Sequence, residues 1–144
     1  MNKEDVADIL SEYVECYALV YDPPSKEDWN RFKEKFGTDF GDTFVNFIEL
    51  MSIYKFPFEI FNVSSGHINF CGSIFKVYDS EVSMGNWNVN MVPFCDIANG
   101  DCYCLNKEEG SLSGVYYFNH ANEEYEKKYE HFDDWVKDLK NILD

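Results

Sequence analysis

The sequence predicts an α+β fold with a central antiparallel sheet of about five to six strands and helices at both chain ends. Three observations carry this. From Val6 to Tyr54, apolar residues recur at three-and-four spacing, the period of helices buried on one face. From Glu59 to Phe118, short runs rich in β-branched and aromatic residues alternate with Gly, Ser and Asn turns. The chain then closes on a charged amphipathic segment, so helices sit apart from the strands instead of alternating with them.

Val6, Ile9, Leu10, Tyr13, Val14 and Tyr17 mark one face of a first helix, which Asp22-Pro23-Pro24-Ser25 ends. Ser25 stands three residues before Asp28, close to a capping-box arrangement, and Trp29, Phe32 and Phe36 follow at helical spacing until Gly37. After the turn Thr38-Asp39-Phe40-Gly41-Asp42, Phe44, Phe47, Ile48, Met51 and Tyr54 define a third helix. It should stop before Pro57, because the residue preceding a proline is pushed out of the helical region.

Glu59–Val63, Gly66–Cys71 and Ser73–Tyr78 read as strands, and the polar stretch Asp79–Asn90 reads as an exposed loop. Val92–Cys95 and Asp101–Leu105 flank Ala98-Asn99-Gly100, and Asn-Gly is the strongest short hairpin signal. Gly114–Phe118 adds a strand. The closing helix, Glu123–Leu143, places Tyr125, Tyr129, Phe132, Val136, Leu139 and Leu143 on one stripe, with Trp135 beside it. No repeat or linker divides the chain, so residues 1–144 are expected to form a single domain around one core.

The 27 acidic against 12 basic residues give a formal charge of −15, which opposes phosphate backbones and anionic membranes and favours basic partners. The acid-rich start lacks a signal peptide's basic and apolar regions, and no run has the roughly 18 apolar residues of a membrane span, so a cytoplasmic location is expected. Five cysteines, an odd set scattered over helix and strand, read as reduced thiols. Zinc binding by Cys95, Cys102, Cys104 and His120 would need ligand pairs two to four residues apart on tight turns. Cys102 and Cys104 instead share one strand face.

No hydrolase elbow, zinc-protease helix or phosphate-cradling loop occurs, and Gly110-Ser-Leu-Ser-Gly114 reads as a turn between strands. A Cys/His pair such as Cys104 with His120 would have to meet in space, not along the chain, and no motif supports it. Asp96, Asp101, Glu108 and Glu109 lack the alternating ligands of a calcium loop. The chain is therefore expected to be no enzyme and to need no cofactor or metal.

The stretch Asn90–Asp144 reads Asn-Met-Val-Pro-Phe-Cys-Asp-Ile-Ala, Asn-Gly-Asp, Cys-Tyr-Cys-Leu, a polar turn, Gly114-Val-Tyr-Tyr-Phe-Asn-His120, then Tyr129-Glu-His-Phe-Asp-Asp-Trp135-Val-Lys-Asp-Leu139. This order resembles the C-terminal half of the SUKH superfamily, which contains bacterial immunity proteins and fungal cell-wall-assembly regulators. Trp29 through Met51 extends the resemblance, while Val63-Ser-Ser-Gly66 departs from the Asn-Gly often found after the second main helix. The resemblance implies an immunity protein that neutralises a cognate toxin domain, expected to be a basic nuclease, by binding it. A scaffold or regulatory adaptor without a toxin is the competing implication. The acids expected to meet the partner are Asp79, Glu81, Asp96, Asp101, Glu108 and Glu109, with an exposed Trp87 as aromatic anchor.

Overall fold

The computed structural model describes residues 1–17, 22–64 and 72–144. Helix α1 (Lys3–Tyr13) is capped by Asn2, whose side chain accepts the Asp5 N–H while Asp5 accepts that of Asn2. Helix α2 (Lys26–Phe36) repeats the device as its sequence spacing predicts: Asp28 N–H donates to Ser25 Oγ at 3.1 Å, and Ser25 N–H to Asp28 Oδ2 at 2.8 Å. It ends at Gly37, whose φ of 79° lies in the left-handed region. Helix α3 spans Asp42–Leu50.

Two helices stop earlier than their periodicity predicts, for one reason. Glu15–Cys16 (β1) pairs antiparallel with Tyr54–Lys55 (β2), so Tyr17 and Tyr54 leave the helical stripes to which their spacing assigned them. The Tyr54 hydroxyl still reaches α1, lying 2.6 Å from Ser11 Oγ.

The main sheet contains β3 (Glu59–Ile60), β4 (Met91–Ala98), β5 (Asp101–Asn106), β6 (Val115–Asn119) and β7 (Glu124–Tyr129), in that order and antiparallel throughout. Asn99 and Gly100, at φ of 56° and 88°, make the expected turn between β4 and β5. A Cβ on Gly100 would fall 2.8 Å from Cγ of His120, so this position needs glycine for space as well as for conformation.

Two expected elements change type. Ser73–Tyr78 is not a strand: Ile74–Ser83 forms helix α4, which also takes the first residues of the expected loop. Its Phe75 ring stacks on Phe36 at 6.0 Å and Tyr78 meets the same ring edge-on at 5.0 Å, so packing against α2 overrides the β-rich composition. Likewise, Glu123–Leu143 is not one helix, because its first part is β7, followed by α5 (Phe132–Lys137) and α6 (Leu139–Ile142). Gly66–Cys71, expected as a strand, lies outside the described residues.

One face of the sheet packs on α3 and α5 through buried rings, and α1 packs in turn on those two helices. Phe94 meets Phe44, Phe132 and Trp135 at 6.1, 5.4 and 5.1 Å, and Phe47 meets Trp135 at 5.4 Å. Each fully buried large side chain contributes about 1.5–3 kcal/mol, so this aromatic cluster is the main cohesive element. The other face is covered by α4 and by Trp87.

Candidate functional site

Strand β3 lies beside β4 with Glu59 opposite Asp96, and Asp96 in turn stands opposite Cys102 of β5. Above them α4 presents Lys76, Val77, Ser80 and Glu81, residues one helical turn apart and therefore on one side. The space between helix and strands is a groove of about 450 Å³. Phe61, Val77, Pro93 and Cys102 supply its apolar surface, while Glu59, Glu81 and Asp96 supply carboxylates. Among the described residues, Lys76 is the cation lining it.

Glu59 is held in place, since its Oε1 accepts the Gly72 N–H at 2.6 Å. Glu81, Asp96 and Lys76 make no ion pair within 4.0 Å among the described residues, which leaves their charges available to a partner. Behind the groove, Cys102 Sγ lies 3.7 Å from Cys104 Sγ. Burial pushes the Cys104 and Cys95 thiols well up, so both stay protonated and are poor nucleophiles. Cys16, Cys95, Cys102 and Cys104 are free thiols, and Cys71 lies outside the described residues. Among the described residues, no three His, Cys, Asp or Glu side chains gather as metal ligands would.

The structure brings together only two of the predicted contact residues, Glu81 and Asp96. Asp79, on the next part of the α4 surface, pairs with Lys35 at 2.7 Å. Asp101, beyond the hairpin turn, is committed to internal bonds: its carboxylate accepts the Tyr117 hydroxyl at 2.7 Å and the His120 N–H at 2.8 Å. Those two bonds, led by the tyrosine, hold its pKa below the usual carboxylate value. His120 thus offers a backbone donor to a carboxylate, and no bond links it to Cys104.

Glu108 and Glu109 lie past the far end of β5 from Asp101. Glu109 accepts the Tyr116 hydroxyl at 2.9 and 3.0 Å to its two oxygens, and the Gly114 N–H at 3.2 Å. Trp87 is not the exposed anchor its polar surroundings predict. Only 8% exposed, it donates its indole N–H to the Met91 carbonyl at 2.8 Å and packs on Phe118 and Tyr125.

Glu59, Lys76 and Ser80 are the groove residues that sequence reasoning missed. Ile74, Tyr78 and Val82 recur every four residues, a helical signal in Ile74–Ser83 that the β-branched and aromatic composition masked. With a helix there, Lys76, Ser80 and Glu81 fall on one side.

A family profile described as SMI1-KNR4 cell-wall (SUKH_5) matches residues 3–141. The chain belongs to this SUKH family. The SUKH resemblance read from Asn90–Asp144 is thereby confirmed, although that half contains one strand more than expected before its closing helices. Among solved structures, the SUKH chain is similar to a crystal structure of a protein from Pseudomonas syringae pv. tomato. The two are 16% identical, with 94% of this chain and 96% of that chain covered and a TM-score of 0.65, a likeness of fold. No curated protein matches the sequence. No helix among the described residues is long and apolar enough to cross a membrane.

Proposed function

We propose that this SUKH chain is an immunity protein that binds a basic toxin domain, such as a nuclease, and blocks it without altering it chemically. The observation that carries the proposal is the groove between α4 and the sheet, where Glu81 and Asp96, without an ion pair among the described residues, flank an apolar surface. A nuclease holds phosphate with cationic side chains, and a carboxylate-lined groove engages the same groups. Complementary charge accelerates encounter, and apolar contact sustains the complex. The overall charge of −15 acts in the same direction at longer range.

Asp79, Asp101, Glu108 and Glu109 serve in this account as an outer field instead of contact groups of the groove, because none of them lines it. The buried, protonated thiols of Cys95 and Cys104 and the separation of His120 from Cys104 support binding over catalysis.

The description of the family, SMI1-KNR4 cell-wall, favours a second reading, a scaffold or regulatory adaptor with no toxin partner. One experiment separates the two. The chain is used as bait in its source cell, and any neighbouring toxin gene product is assayed with and without it. Stoichiometric capture with loss of toxin activity supports the immunity role, and capture of a signalling protein alone supports the adaptor.

A further inference from the structure

On the sheet face opposite the groove, two pairs of partly exposed rings, Phe56 with Phe58 and Tyr103 with Tyr117, are joined through the buried Trp135. Neighbouring residues of a strand point to opposite faces, so Cys102 lines the groove while Tyr103 turns away from it. Phe58 meets Phe56 at 6.4 Å between centroids, Phe56 stacks on Trp135 at 6.2 Å, and Trp135 meets Tyr103 edge-on at 5.8 Å. Tyr103 then meets Tyr117 edge-on at 5.3 Å. Trp135 is fully buried between the two pairs, whereas Phe56, Phe58, Tyr103 and Tyr117 each keep part of their surface in water.

Carboxylates border these rings. Asp101 is fixed against Tyr117 by the hydroxyl bond of 2.7 Å, Glu126 stands opposite Tyr117 on β7, and Asp138 accepts the Tyr129 hydroxyl at 2.7 Å. Lys128 is tied to Glu126 at 3.0 Å, which neutralises both locally. The border owes its acidic character to Asp101 and Asp138, which their tyrosine bonds orient before any partner arrives.

We infer that this aromatic strip is a second docking surface, which takes an arginine-bearing segment of a partner protein. A guanidinium is planar and weakly hydrated, so it stacks on ring faces while its N–H groups reach the fixed carboxylates. A lysine ammonium holds its water more tightly and lacks the planar fork. Aromatic strips also stack nucleobases, but the acidic border and the charge of −15 repel the phosphates that come with them. The inference does not depend on the groove's role, because the strip faces the other way.

The test uses the full chain with three probes: a hexa-arginine peptide, a hexa-lysine peptide and an oligouridylate. Affinity is read by calorimetry and location by aromatic-ring NMR shifts. Expected are shifts at Phe58, Tyr103 and Tyr117 with hexa-arginine, an affinity roughly fivefold above that for hexa-lysine, and no shifts with oligouridylate. The groove variant E59Q/E81Q/D96N should keep the ring shifts, which separates this surface from the proposed toxin site. Tyr117→Leu, and Asp101→Asn as a variant that keeps every ring, should each weaken hexa-arginine binding by about threefold or more. Equal affinity for the two cationic peptides, ring shifts lost in the groove variant, or ring shifts with oligouridylate would overturn the inference.

Discussion

Replacing Trp135 tests whether the aromatic core is held by ring packing or by the indole's polar group. Trp135 is 0% exposed and touches Phe94, Phe47, Phe132, Tyr103 and Phe56 at centroid distances of 5.1 to 6.2 Å. Its indole N–H is buried without an acceptor. Trp135→Ala removes the ring and leaves a cavity, costing about 3–5 kcal/mol. Trp135→Phe keeps most of the packing and also removes the orphaned donor, whose burial costs about 1–3 kcal/mol. The loss of the second ring and the relief of the donor oppose each other, so Trp135→Phe should lie within about 1 kcal/mol of the parent. Urea unfolding followed by far-UV circular dichroism gives both values from the midpoints, provided the slopes agree. A Trp135→Phe loss as large as that of Trp135→Ala would refute this reasoning.

Three further outcomes are expected. Asp101 titrates below a free carboxylate chiefly because Tyr117 donates to it, so Tyr117→Phe should raise its carbon-detected NMR titration midpoint. The sign for stability follows: a depressed folded pKa stabilises above the unfolded value near 3.9, and that contribution disappears as pH falls through the folded pKa, less steeply in the variant. Ser25→Ala breaks the α2 capping box and should cost about 1 kcal/mol in chemical denaturation. Gly100→Ala places a Cβ 2.8 Å from Cγ of His120 at a φ of 88° and should cost about 1–2 kcal/mol or more by the same assay, with the His120 ring resonances displaced.

What was legible in the sequence was local and self-contained. The Ser25–Asp28 cap, the Gly37 stop and the Asn99-Gly100 turn each specify a backbone geometry within a few residues, and all three appear where expected. The two changes of element type share a different cause. Tyr125 and Tyr129 are four apart, a spacing that fits one face of a helix and one face of a regular strand equally well, so it could not decide between them. In the fold Tyr125 packs on Trp87, while Tyr129, past a register shift, bonds to Asp138. Ile74–Ser83 likewise becomes a helix through contacts with Phe36, 38 residues before Ile74, which no local window contains. The candidate site was only half legible for the same reason. Glu81 and Asp96 were selected for charge, but Glu59 and Lys76 join them only once α4 is laid across the strands.

The groove account is tested most directly by association kinetics with a cognate basic toxin domain. Stopped-flow rates would be measured at about 20 and 300 mM salt, a range over which screening shortens from roughly 20 to 6 Å. The E59Q/E81Q/D96N variant should associate about tenfold more slowly than the parent at low salt and dissociate faster, with the rate gap narrowing at high salt. A matching D79N/E108Q/E109Q variant should slow association less and leave dissociation unchanged. Equal rates for the groove variant and the parent, or a larger effect from the outer acids, would contradict the assignment of the groove as the contact surface.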